Sequence, residues 1–136
     1  MLEIKEQNPR QFSPLTLAFL GDAVYELCAR GRVVAEGNRP VNDLHKASVG
    51  LVNATAQSNA FDRISDLLTE EELAVYKRGR NASASSTPKH ADIADYRRAT
   101  GVEALFGYLY LKGELARVQE LFDAANKVSV DMEALP

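Results

Sequence analysis

The sequence predicts an all-α protein, and two observations support this fold class. Apolar residues recur at helical spacing along almost the whole chain, and no segment shows the strict alternation of a half-buried strand. A length of 136 residues fits one domain, which we expect to cover residues 1–136 with its core at about 13–128.

The first predicted helix begins at Ser13 and Pro14, a capping residue followed by a proline suited to the first helical position. We expect this helix to run into the 30s and to end before Gly37 and Pro40. Its apolar positions are Leu17, Leu20, Val24, Leu27 and Cys28.

A second helix is predicted from Asn42 or Asp43, either of which could cap it, with an extent that could reach Leu67. Thr69 and Glu72 have the spacing of a capping box, which predicts a short helix that continues through Leu73 and Tyr76.

The segment from Arg78 to His90 is rich in Gly, Ser, Asn and Pro and has no apolar period, so we predict a loop. Helical spacing resumes near Asp92, and a final helix is predicted from about Glu114 to Asn126.

The net charge of −3 is unevenly distributed along the chain. Six cations and two acidic residues lie between Lys77 and Arg98, so this segment carries +4 and the rest of the chain −7. A basic segment on an acidic protein indicates an anionic partner. The single cysteine excludes an internal disulfide, and neither a signal peptide nor a membrane span is visible, so we expect a cytoplasmic protein.

Two carboxylates interrupt apolar helices, and each has a glycine nearby. Asp22 follows Gly21, and Glu103 lies one helical turn before Gly107. Glycine inside a helix costs about 1 kcal/mol relative to alanine, and close approach of a second helix is a usual reason for keeping it. We therefore expect the two helices to cross through these glycines, which would place Asp22 and Glu103 side by side.

Two carboxylates in one half-buried place repel each other, and a hard divalent cation such as Mg²⁺ removes that repulsion. The alternative is that both residues are ordinary polar positions near helix ends or are paired with arginines.

Long cationic side chains separated by small residues are suited to contacts with several phosphates of a nucleic-acid backbone. The candidate RNA-binding residues are Lys77, Arg78, Arg80, Asn81 and Lys89. Taken alone, the segment could be a solvated loop. Together with a metal-holding carboxylate pair, it indicates a phosphodiesterase that acts on nucleic acid.

Several motifs resemble those of ribonuclease III catalytic domains. Residues 19–24 (FLGDAV) resemble the signature helix of that family, and residues 102–107 (VEALFG) resemble the helix that carries its second essential acid. More specifically, the chain is similar to the Mini-ribonuclease 3 (Mini-III) family, which lacks a double-stranded-RNA-binding domain. The other matching segments are 42–46 (NDLHK), 77–82 (KRGRNA), 87–89 (TPK) and 103–110 (EALFGYLY), so the resemblance covers roughly residues 15–121.

The resemblance implies an all-helical homodimer that hydrolyses double-stranded RNA and leaves 5′-phosphate and 3′-hydroxyl ends. It implies a Mg²⁺ cofactor, for which Mn²⁺ can substitute, with Asp22 and Glu103 as the catalytic and metal-binding residues. The implied substrate is the double-stranded stem of precursor 23S ribosomal RNA. Whether a large-subunit ribosomal protein has to be bound to that RNA is left open.

Two positions depart from the wider ribonuclease III pattern. Ala18 stands where that pattern has a glutamate, and Thr100 stands where it has an aspartate, which leaves the number of bound ions open. Glu26 and Thr100 could support the site indirectly, although Glu26 could equally be a surface residue.

The missing acids also support an alternative, a non-catalytic RNA-binding or ribosome-associated protein on the same scaffold. The negative net charge by itself would allow a helical protein-interaction domain that does not bind RNA.

Overall fold

The computed structural model describes residues 8–82 and 92–127, and within these ranges the chain forms helices and no strand. The α-helices are α1 (Pro14–Ala35), α2 (Val41–Val52), α3 (Ala54–Ile64), α4 (Glu70–Ala82), α5 (Ile93–Leu111) and α6 (Leu115–Ala125). Short 3-10 helices at Pro9–Gln11 and Ser65–Leu67 precede α1 and α4. The predicted all-α fold class is confirmed. None of the described helices is both long enough and apolar enough to cross a membrane.

Helix α1 begins and ends where the sequence predicts. The Ser13 hydroxyl oxygen accepts a hydrogen bond from the Thr16 backbone N–H at 3.2 Å, and Pro14 occupies the first helical position. Beyond Ala35 the chain passes through Gly37, whose φ of 119° lies in the region that favours glycine. Cys28, one of the apolar positions of this helix, is half-buried and packs against the core.

Two helices, α2 and α3, replace the single helix that was predicted between Asn42 and Leu67. The break falls at Asn53, which is extended and whose side-chain oxygen accepts a hydrogen bond from the Ala56 backbone N–H at 2.8 Å. Helix α2 begins at Val41 with Pro40 as its N-cap residue, and no side chain caps it. The expected capping by Asn42 or Asp43 was therefore wrong.

Helix α4 opens with the predicted capping box. The Glu72 N–H donates to the Thr69 hydroxyl at 3.1 Å, and the Thr69 N–H donates to the Glu72 carboxylate at 2.9 Å. The Arg117 guanidinium of α6 donates to both oxygens of this buried carboxylate, at 2.8 and 2.9 Å. These bonds attach the start of α4 to α6.

The end of α4 differs from the prediction. The helix continues to Ala82, so the predicted loop was wrong for residues 78–82, and the rest of that loop, residues 83–90, lies outside the described residues. Packing explains the difference: a Cβ atom on Gly79 would lie 2.6 Å from the Ala104 Cβ and 3.1 Å from the Gly101 Cα. The glycine that suggested a loop is the residue that lets α4 approach α5.

Helix α5 is the centre of the domain and packs against α1, α3, α4 and α6. It begins after Asp92, whose carboxylate accepts from the Asp95 N–H at 3.1 Å, in agreement with the predicted start. Ten of the eleven residues from Ala99 to Leu109 are buried, and only Glu103 is partly exposed. A helix surrounded by other helices requires apolar residues on every side, so one partly exposed carboxylate inside this run is unusual.

Helix α6 closes the domain within one residue of its predicted bounds. Its Phe122 ring contacts the buried Tyr25 ring edge-on, with ring centroids 5.2 Å apart, and Tyr25 meets Phe106 in the same way at 4.9 Å. The Tyr25 hydroxyl accepts from the Asn126 amide at 3.0 Å. This aromatic cluster joins α1, α5 and α6.

Candidate active site

Helices α1 and α5 cross through the two glycines that the sequence singled out. A Cβ atom on Gly21 would lie 1.6 Å from the Glu103 carbonyl oxygen and 2.8 Å from the Gly107 nitrogen. A Cβ atom on Gly107 would lie 2.0 Å from the Leu17 carbonyl oxygen. No side chain fits at either position, so the predicted crossing is confirmed.

The crossing places the Asp22 and Glu103 carboxyl groups next to each other. Asp22 is exposed on α1, and Glu103 is partly exposed within the buried run of α5. Burial, and then the neighbouring Asp22 carboxylate, raise the pKa of Glu103 to about 8. Without a cation, the pair therefore resists carrying two negative charges at neutral pH.

The donor set of this pair fits a hard divalent cation. Mg²⁺ is usually bound through one or two carboxylates, keeps several waters and accepts phosphate oxygens as further ligands. No group of three or more His, Cys, Asp or Glu side chains that could hold a metal occurs within residues 8–82 and 92–127. The Asp22–Glu103 pair is therefore an open site with few protein ligands, which suits an ion that also contacts a substrate.

A buried glutamine lies beside the pair, and the sequence analysis did not single it out. Gln57 of α3 is 1% exposed, and its side chain lowers the pKa of Glu103, although burial and Asp22 outweigh this effect. Its Nε2 atom has no hydrogen-bond partner in the part of the chain that the structure describes. The available signal was a long polar side chain on the helix face that also carries Ala60, Phe61 and Ile64.

Glu26, Thr100 and Ala18 are the three further positions that the sequence connects with the site. The Glu26 carboxylate accepts from the Arg30 guanidinium at 2.8 Å, one turn further along α1. The Thr100 hydroxyl donates to the Tyr96 carbonyl oxygen at 3.0 Å and is buried. Ala18 is also buried. Neither Glu26 nor Thr100 has a hydrogen bond to Asp22 or Glu103, so an indirect role for them stays a prediction.

The predicted RNA-binding residues lie on the last two turns of α4, apart from Lys89, which is outside the described residues. Lys77, Arg78 and Asn81 are exposed. The Arg80 guanidinium lies over the Tyr76 ring, 5.8 Å from its centroid, and donates to the Asn81 side-chain oxygen at 3.2 Å. Because Gly79 packs on Gly101 and Ala104, the end of α4 lies against the middle of α5.

Asp22 is exposed at the protein surface, and Glu103 beside it is partly exposed. An apolar groove of about 640 Å³ lies elsewhere, between α1 and α6, and neither carboxylate lines it. A site for a small molecule is usually concave, whereas a nucleic-acid duplex needs an open surface. The exposed position of Asp22 therefore favours a large substrate.

Helix α1 also exposes apolar side chains on the side that carries Asp22. Leu15 is 47% exposed and Phe19 is 83% exposed, and they lie seven and three residues before Asp22. Residues at these spacings share one helix face. An apolar surface therefore adjoins the carboxylate pair, and exposed apolar patches of this kind mark interfaces.

Comparison with known proteins gives a consistent result. A family model, the ribonuclease III domain, matches residues 15–114. A Mini-ribonuclease 3 of Thermoanaerobacter sp. (strain X514) is 51% identical over 125 residues, which cover 92% of this chain and 88% of the relative. A Mini-ribonuclease 3 of Brevibacillus brevis is 50% identical over 119 residues, which cover 88% of this chain and 89% of the relative.

A solved structure has the same fold. The crystal structure of a protein from Fusobacterium nucleatum is 32% identical and superposes with a TM-score of 0.77, covering 86% of this chain and 93% of that one. With a family model over most of the chain and relatives at about half identity over nearly its whole length, the chain belongs to the ribonuclease III family, within its Mini-ribonuclease 3 group, and is an endoribonuclease.

Proposed function

We propose that the protein hydrolyses double-stranded RNA with the help of Mg²⁺, held by Asp22 and Glu103. The observation that carries this proposal is the position of Glu103, the one partly exposed residue in an otherwise buried run of α5, directly beside Asp22. A partly buried carboxylate next to a second carboxylate is destabilising unless a cation or a proton offsets the charge. A metal ion bound by both acids would offset this charge, which explains why two carboxylates lie together at the crossing of α1 and α5.

Each part of the site has a separate role in the proposed reaction. Asp22 and Glu103 bind the cation, whose chemistry is the activation of water and the stabilisation of charge on the reacting phosphate. Mn²⁺ is expected to substitute for Mg²⁺, since it accepts the same oxygen ligands. The products have 5′-phosphate and 3′-hydroxyl ends.

The cations at the end of α4 are proposed to bind the RNA backbone. Lys77 and Arg78 are exposed, and the end of α4 packs on Gly101 and Ala104, which lie close to Glu103 along α5. A duplex that contacts these cations is proposed to extend to the carboxylate pair. Duplex RNA hides its base edges in a deep, narrow major groove, so recognition should rely on shape, phosphates and 2′-hydroxyl groups. Asn81 and Lys89 are included in this surface as predictions.

We also propose a homodimer formed through the face of α1 that carries Leu15 and Phe19. An aromatic side chain that is 83% exposed is costly in water, and a second copy of the same face would cover it. Because Asp22 lies on the same face of α1, dimerisation would bring two carboxylate pairs towards one duplex. The proposed natural substrate is the double-stranded stem of precursor 23S ribosomal RNA.

The direct test is cleavage of a labelled precursor 23S stem by the purified protein, with Mg²⁺ or with EDTA. We expect discrete cuts with Mg²⁺, none with EDTA, and recovery with Mn²⁺. Addition of large-subunit ribosomal proteins determines whether one of them is required. Cleavage that persists in EDTA, or that is restricted to single-stranded RNA, would contradict the proposal.

A further inference from the structure

Gln57 has a polar group that the fold does not use. The side chain is 1% exposed, and its Nε2 atom has no hydrogen-bond partner within residues 8–82 and 92–127. A buried donor without a partner loses its hydration without compensation and is destabilising. An apolar residue of the same size would pack at this position at lower free energy, so the amide needs an explanation other than stability.

The nearest explanation is the carboxylate of Glu103. Helix α3 packs against α5, and the Gln57 side chain lies close enough to Glu103 to lower the pKa of that carboxyl group. A carboxylate is a strong acceptor, and a bond to it satisfies an amide N–H better than a bond to a neutral group. Glu103 thus has both the Asp22 carboxylate and the Gln57 amide as neighbours.

We propose that Gln57 is a positioning residue, whose Nε2–H donates to the Glu103 carboxylate and fixes its orientation towards Asp22. The proposal rests on the proposed function, because it takes Asp22 and Glu103 as the metal-binding pair. Gln57 itself does not touch the metal or the RNA. Hydrogen bonds to metal-binding side chains orient the ligand atoms before the ion arrives, and their loss weakens metal binding.

The test compares Gln57→Met with a matched control. Methionine is unbranched and similar in size, so the variant removes the donor and keeps the packing. The control is Ser58→Ala, at the next position of α3, since Ser58 is fully buried and its hydroxyl also lacks a partner among the described residues. Mn²⁺ binding is measured by calorimetry and by the electron paramagnetic resonance signal of free Mn²⁺, and stability by urea unfolding.

We expect Gln57→Met to fold with unchanged or higher stability and to bind Mn²⁺ about 10- to 100-fold more weakly. The kcat for duplex cleavage should fall while KM for RNA is unchanged, and higher Mg²⁺ should restore part of the rate. Ser58→Ala should change none of these quantities except stability. Unchanged Mn²⁺ affinity in Gln57→Met would overturn the proposal.

Two further comparisons separate the possible failures. Gln57→Leu is measured in parallel, and loss of folding in both variants would also overturn the proposal, because the residue would then be needed for packing. Asp22→Asn and Glu103→Gln are included to test the underlying site. If these two variants bind Mn²⁺ normally, the proposed function is wrong; if they lose Mn²⁺ and Gln57→Met does not, only the positioning role is wrong.

Discussion

The backbone of Gly21 lies so close to Glu103 that a Cβ atom at Gly21 would be 1.6 Å from the Glu103 carbonyl oxygen. The contact joins the two helices that carry the proposed metal-binding acids. Backbone atoms on both sides leave no flexible side chain that could move away. The separation of α1 and α5, and with it the distance between Asp22 and Glu103, depends on this glycine.

Replacement of Gly21 by alanine is therefore expected to destabilise the protein strongly. Gly21→Ala should lower the free energy of unfolding by about 3 kcal/mol, because an added methyl group overpacks a backbone contact that cannot relax. Gly31→Ala, on the same helix, is the control, since no other described element lies within 4 Å of a Cβ atom there. That variant should gain about 0.5–1 kcal/mol from the higher helix propensity of alanine. Urea unfolding measures both, and equal effects would show that the crossing is not tightly packed.

The raised pKa of Glu103 predicts how the stability of the metal-free protein depends on pH. In the unfolded chain the carboxyl group loses its proton near pH 4.5, whereas in the folded protein its pKa is about 8. Between these two pH values the folded state holds one proton more than the unfolded state, so the free energy of unfolding should fall as pH rises. The slope should be at most about 1.4 kcal/mol per pH unit. It should level off above pH 8.

Urea unfolding in EDTA from pH 5 to pH 9 tests this dependence. Glu103→Gln should remove the slope, and saturating Mg²⁺ should remove it in the unaltered protein. Hydrogen bonds from Tyr108, Arg10 and Lys112 lower the pKa of Glu71 to about 2. Glu71 therefore affects stability only below about pH 4.5, outside the pH range of this measurement. The same slope in Glu103→Gln would mean that another group is responsible.

The exposed cations of α4 are expected to contribute to RNA affinity through phosphate contacts. The double variant Lys77→Ala/Arg78→Ala should weaken duplex binding and reduce the slope of log K against log salt by roughly one for each lost contact. Arg39→Ala, an exposed arginine outside the basic segment, is the comparison. Fluorescence anisotropy at several salt concentrations measures the slopes, and identical slopes in all three proteins would remove α4 from the RNA interface.

The exposed ring of Phe19 is expected to lie in the homodimer interface. Phe19→Asp should convert the protein to a folded monomer with reduced cleavage, because a buried unpaired carboxylate opposes association. Leu67→Asp, at a second exposed apolar residue outside α1, should leave the dimer intact. Analytical ultracentrifugation gives the mass in each case. If Phe19→Asp forms a dimer with an unchanged dissociation constant, the interface does not include Phe19.

The sequence predicted the helix crossing because glycine is unfavourable inside an apolar helix and close packing is the usual compensation. The same physical reason holds for Gly79, which lies in the segment predicted as a loop but packs on Gly101 and Ala104 as part of α4. The break at Asn53 was missed because apolar spacing continues past it, while a local hydrogen bond to the Ala56 N–H starts a new helix there.

Gln57 could not be assigned from the sequence for a different reason. Its proximity to Glu103 depends on how α3 packs against α5, and the two residues are 46 positions apart. Local patterns identified both acids because each one interrupts an apolar helix. A polar residue that acts on one of them from another helix becomes visible only in the folded structure.

The most direct test of the account is duplex cleavage by Asp22→Asn and Glu103→Gln, measured beside Mn²⁺ binding and duplex affinity in EDTA. Both variants should fold, bind the duplex with near-normal affinity, lose Mn²⁺ binding and cleave at least about 100-fold more slowly. Cleavage at the unaltered rate by either variant would contradict the assignment of this carboxylate pair as the catalytic site.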